Sequence, residues 1–85
     1  MIKKEIIDIM TNIMKNNFEN VKYVNLDDNL IEGGLDSITA IKFIIVVEET
    51  FEFEFYDEDL HIDIFKTLNA MVDYIDRRLN ADTQV

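Results

Sequence analysis

The chain has no cysteine, so neither a disulfide framework nor a thiolate metal site is available to it. It has one histidine, His61, with no second histidine or cysteine to complete a ligand set or a catalytic pair. Basic residues are few against the acidic ones, and the net charge is −10. That balance repels the phosphates of nucleic acid and favours basic patches on partner proteins. Long apolar runs are missing too, and the N-terminus lacks the form of a secretory signal. The expectation is a cytoplasmic monomer without membrane or nucleic-acid partners. Repeats, low-complexity tracts and interdomain linkers are lacking, so residues 1–85 read as one small domain, with 80–85 as a frayed tail.

Glycine is scarce as well. The two in the chain, Gly33 and Gly34, are adjacent. They release the backbone into a turn that other residues adopt at a cost. Asp36 follows with a side chain suited to capping a helix N-terminus, and Ser37 stands at or just inside that terminus. Unpaired N–H groups and the helix dipole favour negative charge there, which suits a phosphate ester on the serine.

Nearly half of the residues are apolar, enough for a modest core. Met1 to about Asn17 has a helical stripe of Ile2, Ile6, Ile9, Met10 and Ile13, widened by Ile7 and Met14. Phe18 to Leu26 is irregular. Its weak alternation lacks a partner strand, so a loop pinned by apolar residues is expected. Asp27-Asp28-Asn29 has turn chemistry, and Leu30 and Ile31 are expected to plug the core.

From Ser37 to about Phe51, the residues Ala40, Phe43, Ile44, Val47 and Phe51 form an inward stripe. Ser37, Ile41 and Ile45 are four apart and share another side, with Ile38 beside them. This apolar row is either a docking surface or the second face of a helix wedged between neighbours; the residues leave both open. Glu48, Glu49 and Glu52 oppose the dipole at the helix end and fit a solvated or partner-facing acidic edge.

Phe51, Phe53 and Phe55 alternate with Glu52 and Glu54, as a brief strand or as an extended connector pressed into the core. Tyr56-Asp57-Glu58-Asp59 reads as an acidic turn leading to a short helix through Leu60, Ile62 and Ile64. It lacks calcium-loop spacing, and no metal site is expected. Thr67 caps the last helix, with Leu68, Met71, Val72, Ile75 and Leu79 inward and Arg77 and Arg78 complementing its dipole. The sum is an all-α bundle with three main helices and one short one.

No catalytic set is visible. Nucleophilic serine chemistry needs a base and an orienting group, and nothing places His61 beside Ser37. Ser37 therefore reads as a residue that another enzyme modifies, and the chain as no enzyme.

Gly34-Leu35-Asp36-Ser37-Ile38 resembles the phosphopantetheine attachment motif of the acyl carrier protein family, usually Gly-x-Asp-Ser-Leu. Asp28-Asn29-Leu30 upstream, Glu48-Glu49 with Phe51, the Tyr56 to Leu60 turn and Met71-Val72-Asp73-Tyr74-Ile75 extend the likeness over nearly the whole chain. The resemblance implies a four-helix carrier of the acyl-carrier type with 4'-phosphopantetheine on Ser37. It implies a phosphopantetheinyl transferase as partner, with acyl- or aminoacyl-loading and condensing enzymes. Partner docking would fall to Ile38, Ile41, Ile45, Glu48 and Glu49, while Asp36 belongs to the motif. Ile38 replaces the usual leucine, Lys42 stands where carriers of fatty acid synthesis show an acid, and Tyr56 replaces a common proline. These differences weaken an assignment to primary fatty acid synthesis and leave room for a discrete carrier in polyketide or nonribosomal peptide synthesis, or for one that carries a single amino acid. A carrier of primary fatty acid synthesis, or a helical interaction module that carries nothing, is the alternative.

Overall fold

A computed structural model describes residues 1–81. Its elements are α1 (Lys3–Asn17), α2 (Ser37–Phe51), a single 3-10 turn (Asp57–Asp59), α3 (Ile62–Phe65) and α4 (Leu68–Ala81). No strand occurs among the described residues. Helix α1 packs on α4 and α2, and α3 packs on α4. Asn80 and Ala81 belong to α4. The remainder of the expected tail, 82–85, lies outside the described residues.

The core is apolar throughout. Ile6, Met10 and Met14 of α1 meet Phe43 and Val47 of α2 and Leu68, Met71, Val72 and Ile75 of α4, all buried. Phe18, just beyond α1, turns inward and lies 4.9 Å from the Phe43 ring centre. Such a pair adds about 0.5–1.5 kcal/mol beyond the area it buries.

Two expected core residues, Ile2 and Ile31, lie outside it. Ile2 is 63% exposed, because α1 starts at Lys3 and leaves it at the cap. The start is held instead by the Glu5 carboxylate, which accepts from the Ile2 N–H at 3.3 Å. Ile31 is exposed, since the Asn29 side chain accepts from the Ile31 and Glu32 N–H groups and turns that segment outward. Ile62 is exposed at the first position of α3.

Residues 18–36 form a loop, as the missing partner strand requires. Val21 is buried and pins it, while Val24 is exposed at a turn that the Asp28 carboxylate closes by accepting from the Val24 and Asn25 N–H groups. Leu30 is fully buried and donates its N–H to the Lys66 carbonyl at 2.8 Å. Asn69 donates to the Leu26 carbonyl and, from its side chain, to the Asp27 carboxylate. The loop is thereby tied to the α3–α4 corner.

The segment after α2 is an extended connector. Phe55 is buried and stacks on Tyr74 of α4 at 5.2 Å, while Phe53 is half-buried. Arg78 does more than complement a dipole. Its guanidinium lies 3.8 Å from the Tyr56 ring centre. It donates to the Glu54 carbonyl at 2.8 Å and to the Tyr74 hydroxyl at 2.7 Å. That hydroxyl donates on to Asp59 at 2.8 Å. Burial, followed by the bond to Asp59, raises the Tyr74 pKa above its ordinary value. Thr67 caps α4 by accepting from the Ala70 N–H at 3.0 Å.

Helix α2 ends with Glu52 in the left-handed region, at φ 56° and ψ 49°. A non-glycine residue there costs about 1–2 kcal/mol, against about 0.5–1 kcal/mol for the chain freedom glycine loses on folding. Glu52→Gly is therefore expected to stabilise the fold by under about 1 kcal/mol, read as a thermal midpoint raised by a few degrees. An unchanged or lowered midpoint would show that the Glu52 side chain offsets its own strain.

Candidate functional site

The site is built by the turn before α2. The Lys22 N–H donates to the Gly33 carbonyl at 2.7 Å, bringing the two arms of the 18–36 loop together. A Cβ on Gly33 would collide with the Lys22 backbone carbonyl. Gly34 needs its freedom for a different reason, a φ of +117°. The Leu35 N–H returns to the Leu30 carbonyl at 2.9 Å, and the Leu35 side chain is buried. This anchor aims the next residues at solvent.

Asp36 then caps α2. Its Oδ1 accepts from the Thr39 N–H at 2.8 Å, and its carbonyl accepts from Ala40 at 2.8 Å. The Thr39 N–H is the chief cause that holds the Asp36 carboxyl below the usual carboxylate range. Ser37 is the first residue of α2 and is exposed. No hydrogen bond among the described residues engages its hydroxyl. An exposed hydroxyl at a helix start, beside first-turn N–H groups without helical acceptors, fits a phosphodiester linkage.

The apolar row beside Ser37 faces solvent. Ile38 is 69% exposed, Ile41 59% and Ile45 50%. The wedged-helix alternative is thus excluded, and α2 buries only its Phe43, Val47 and Phe51 side. Ile45 shares a shallow cleft with Glu48, Glu49 and Phe53. Glu49 is exposed. Glu48 is half-buried and has a structural task, its Oε2 accepting from the Phe55 N–H at 2.8 Å.

A second feature was not legible in the sequence. A cavity of about 410 Å³ opens beside Ser37, with Leu35, Ala40 and Ile44 on one side and Leu60, Ile62 and Phe65 on the other. Ser37, Asp36 and His61 all line it. His61 is exposed, and the folding of 57–66 across the start of α2 brings it to the same cavity as Ser37. Nothing local in the sequence signals this, because the two residues share no periodicity or motif. Among the described residues there is no cluster of three or more His, Asp or Glu side chains able to hold a metal. No helix is long and apolar enough to cross a membrane.

Comparison with known proteins adds independent findings. A family model described as a phosphopantetheine attachment site matches residues 5–75. Two curated relatives are each 28% identical over 75 residues, covering 87% of this chain and 89% of the relative. Both are named D-alanyl carrier protein and come from two strains of Lactobacillus delbrueckii subsp. bulgaricus. No solved structure matches.

The cap gives a pH signature. A carboxyl whose folded pKa is depressed stabilises the fold above its unfolded value and loses that contribution as the pH falls through the folded value. Asp36→Ala is expected to lower the thermal midpoint at neutral pH. The gap from the parent protein should narrow as the pH drops below the ordinary value of 3.8. Self-repulsion among the other acids titrates in both proteins and leaves the gap unaffected. Melts recorded from neutral pH into the acid check this, and a gap that persists undiminished would show that the cap does not act through its charge.

Proposed function

The chain belongs to the phosphopantetheine attachment family, and on that premise we propose that Ser37 is the residue that takes the group. The chain is a non-catalytic carrier protein with covalently attached phosphopantetheine. The observation that supports Ser37 is its place as the exposed first residue of α2, directly after the Asp36 cap and inside the matched region. When attached, the arm supplies a thiol that holds cargo as a thioester.

The chain's own residues supply position and recognition. Gly33, Gly34 and buried Leu35 present the serine, and Asp36 fixes the helix start behind it. Ile38, Ile41 and Ile45 offer an apolar strip, and Glu49 with the outer part of Glu48 offers negative charge. A basic partner with an apolar centre complements that surface. The partners on this reading are a phosphopantetheinyl transferase and the enzymes that load and condense acyl or aminoacyl groups. The whole of residues 1–85 acts as a single carrier domain.

The pathway we propose is polyketide or nonribosomal-peptide-type biosynthesis, on the strength of Ile38, Lys42 and Tyr56. A second reading is a carrier of one activated amino acid, which the name shared by both relatives favours.

Incubation with coenzyme A, magnesium and a broad-specificity transferase should add the mass of one phosphopantetheine to the parent chain and none to Ser37→Ala. No gain in a folded parent chain would overturn the assignment of Ser37 and favour an interaction module. The docking strip has its own test. Ile41→Ser and Ile45→Ser should change stability by no more than about 0.5 kcal/mol, as exposed positions do. Each should slow loading or transfer on the order of fivefold, the kinetic equivalent of about 1 kcal/mol. Unaltered transfer rates would remove the strip from the partner interface.

A further inference from the structure

The wall of the cavity beside Ser37 is almost wholly apolar, and its two titratable side chains are Asp36 and His61. No lysine or arginine is among the described residues that line it. His61 is therefore the one side chain there able to carry positive charge. Its backbone is held in place, the His61 N–H donating to the Asp59 carbonyl at 3.0 Å and its own carbonyl accepting from Ile64 at 3.1 Å. Its ring is exposed, and no hydrogen bond among the described residues engages it.

From this we infer that His61 is a positioning residue for the attached group: its imidazolium pairs with the phosphodiester on Ser37 and holds the root of the arm toward the α3 side of the cavity. The inference rests on Ser37 being the modified serine. A phosphodiester keeps one negative charge throughout the neutral range, and here it joins a site whose other fixed charge is the Asp36 carboxylate. Asp36 is already engaged by the Thr39 N–H, so it offers the diester nothing. The first-turn N–H groups of α2 and the His61 imidazolium are the positive groups that this site offers a diester on Ser37. Asp59 and Asp63, the charged neighbours of His61 in the chain, are present with or without the arm, and Asp59 is engaged by Tyr74. They bias the ring equally in both forms, so the diester is the only charge that differs.

The test uses the full chain before and after modification, with the mass gain on Ser37 verified first. His61 is the only histidine, so its ring proton resonances need no assignment by mutation. They are followed from about pH 5 to pH 8, the range in which histidine titrates. A cation beside a new anion gains proton affinity, so the His61 midpoint should rise by about half a unit or more on modification and fall back at high salt. The phosphorus resonance supplies a readout that a merely structural histidine would not move. A diester has no titration of its own in this range, so its chemical shift should follow the His61 midpoint in the parent and stay flat in modified His61→Gln. A phosphorus shift that is flat in the modified parent overturns the inference while leaving Ser37 assigned. Absence of the mass gain overturns the assignment of Ser37 and this inference together.

Discussion

The backbones of Lys22 and Gly33 touch, and the site depends on that contact. The hydrogen bond from Lys22 to Gly33 closes residues 22–33 into a compact body, and only a residue without Cβ permits the approach. With the loop closed, Leu30 and Leu35 enter the core on either side of the glycines. Asp36 then arrives at the start of α2 with the extended backbone a cap requires. Ser37 needs no strain of its own to be exposed. The geometry is set upstream, by chain segments that take no part in the chemistry.

Charge is distributed to match. The acids Glu48, Glu49 and Glu52 gather at the C-terminal end of α2, where the helix dipole disfavours them. The fold offsets part of this by giving the Glu48 carboxylate the Phe55 N–H, which anchors the connector as well. What remains is negative charge beside exposed isoleucines, displayed along the same helix as the serine. Such a surface is complementary in charge and polarity to a basic surface with an apolar centre.

Long-period features were legible in the sequence, and end effects were not. The inward residues of α1, α2 and α4 follow from helical spacing, and the start of α2 follows from Gly34, Asp36 and Ser37. Ile2 and Ile31 lie at a helix boundary and in a turn, where periodicity loses its phase and hydrophobicity alone misplaces a side chain. Arg78 carried a local meaning, a cation near a helix end, whereas its partner carbonyl is 24 residues away. The meeting of His61 with Ser37 depends on how the connector crosses the bundle, a property of topology with no local signature. Exposure of Ile41 and Ile45 likewise turned on whether a neighbour covers that side of α2, which only the packing of α1 and α4 decides.

The connector from Glu52 to Leu60 has neither a helical ladder nor a sheet to order it, apart from the 3-10 turn near its end. It is fastened by Phe55 and by the Arg78 guanidinium on Tyr56 and Glu54. Beyond it come Leu60, Ile62 and Phe65, which form the far side of the cavity. The connector that leads to that side of the cavity is therefore fastened from the last turn of α4, by a residue that does not line the cavity. For an engineer this separates two design variables: the fastening of the connector at position 78, and the serine with its cap and exposed isoleucines, none of which Arg78 touches.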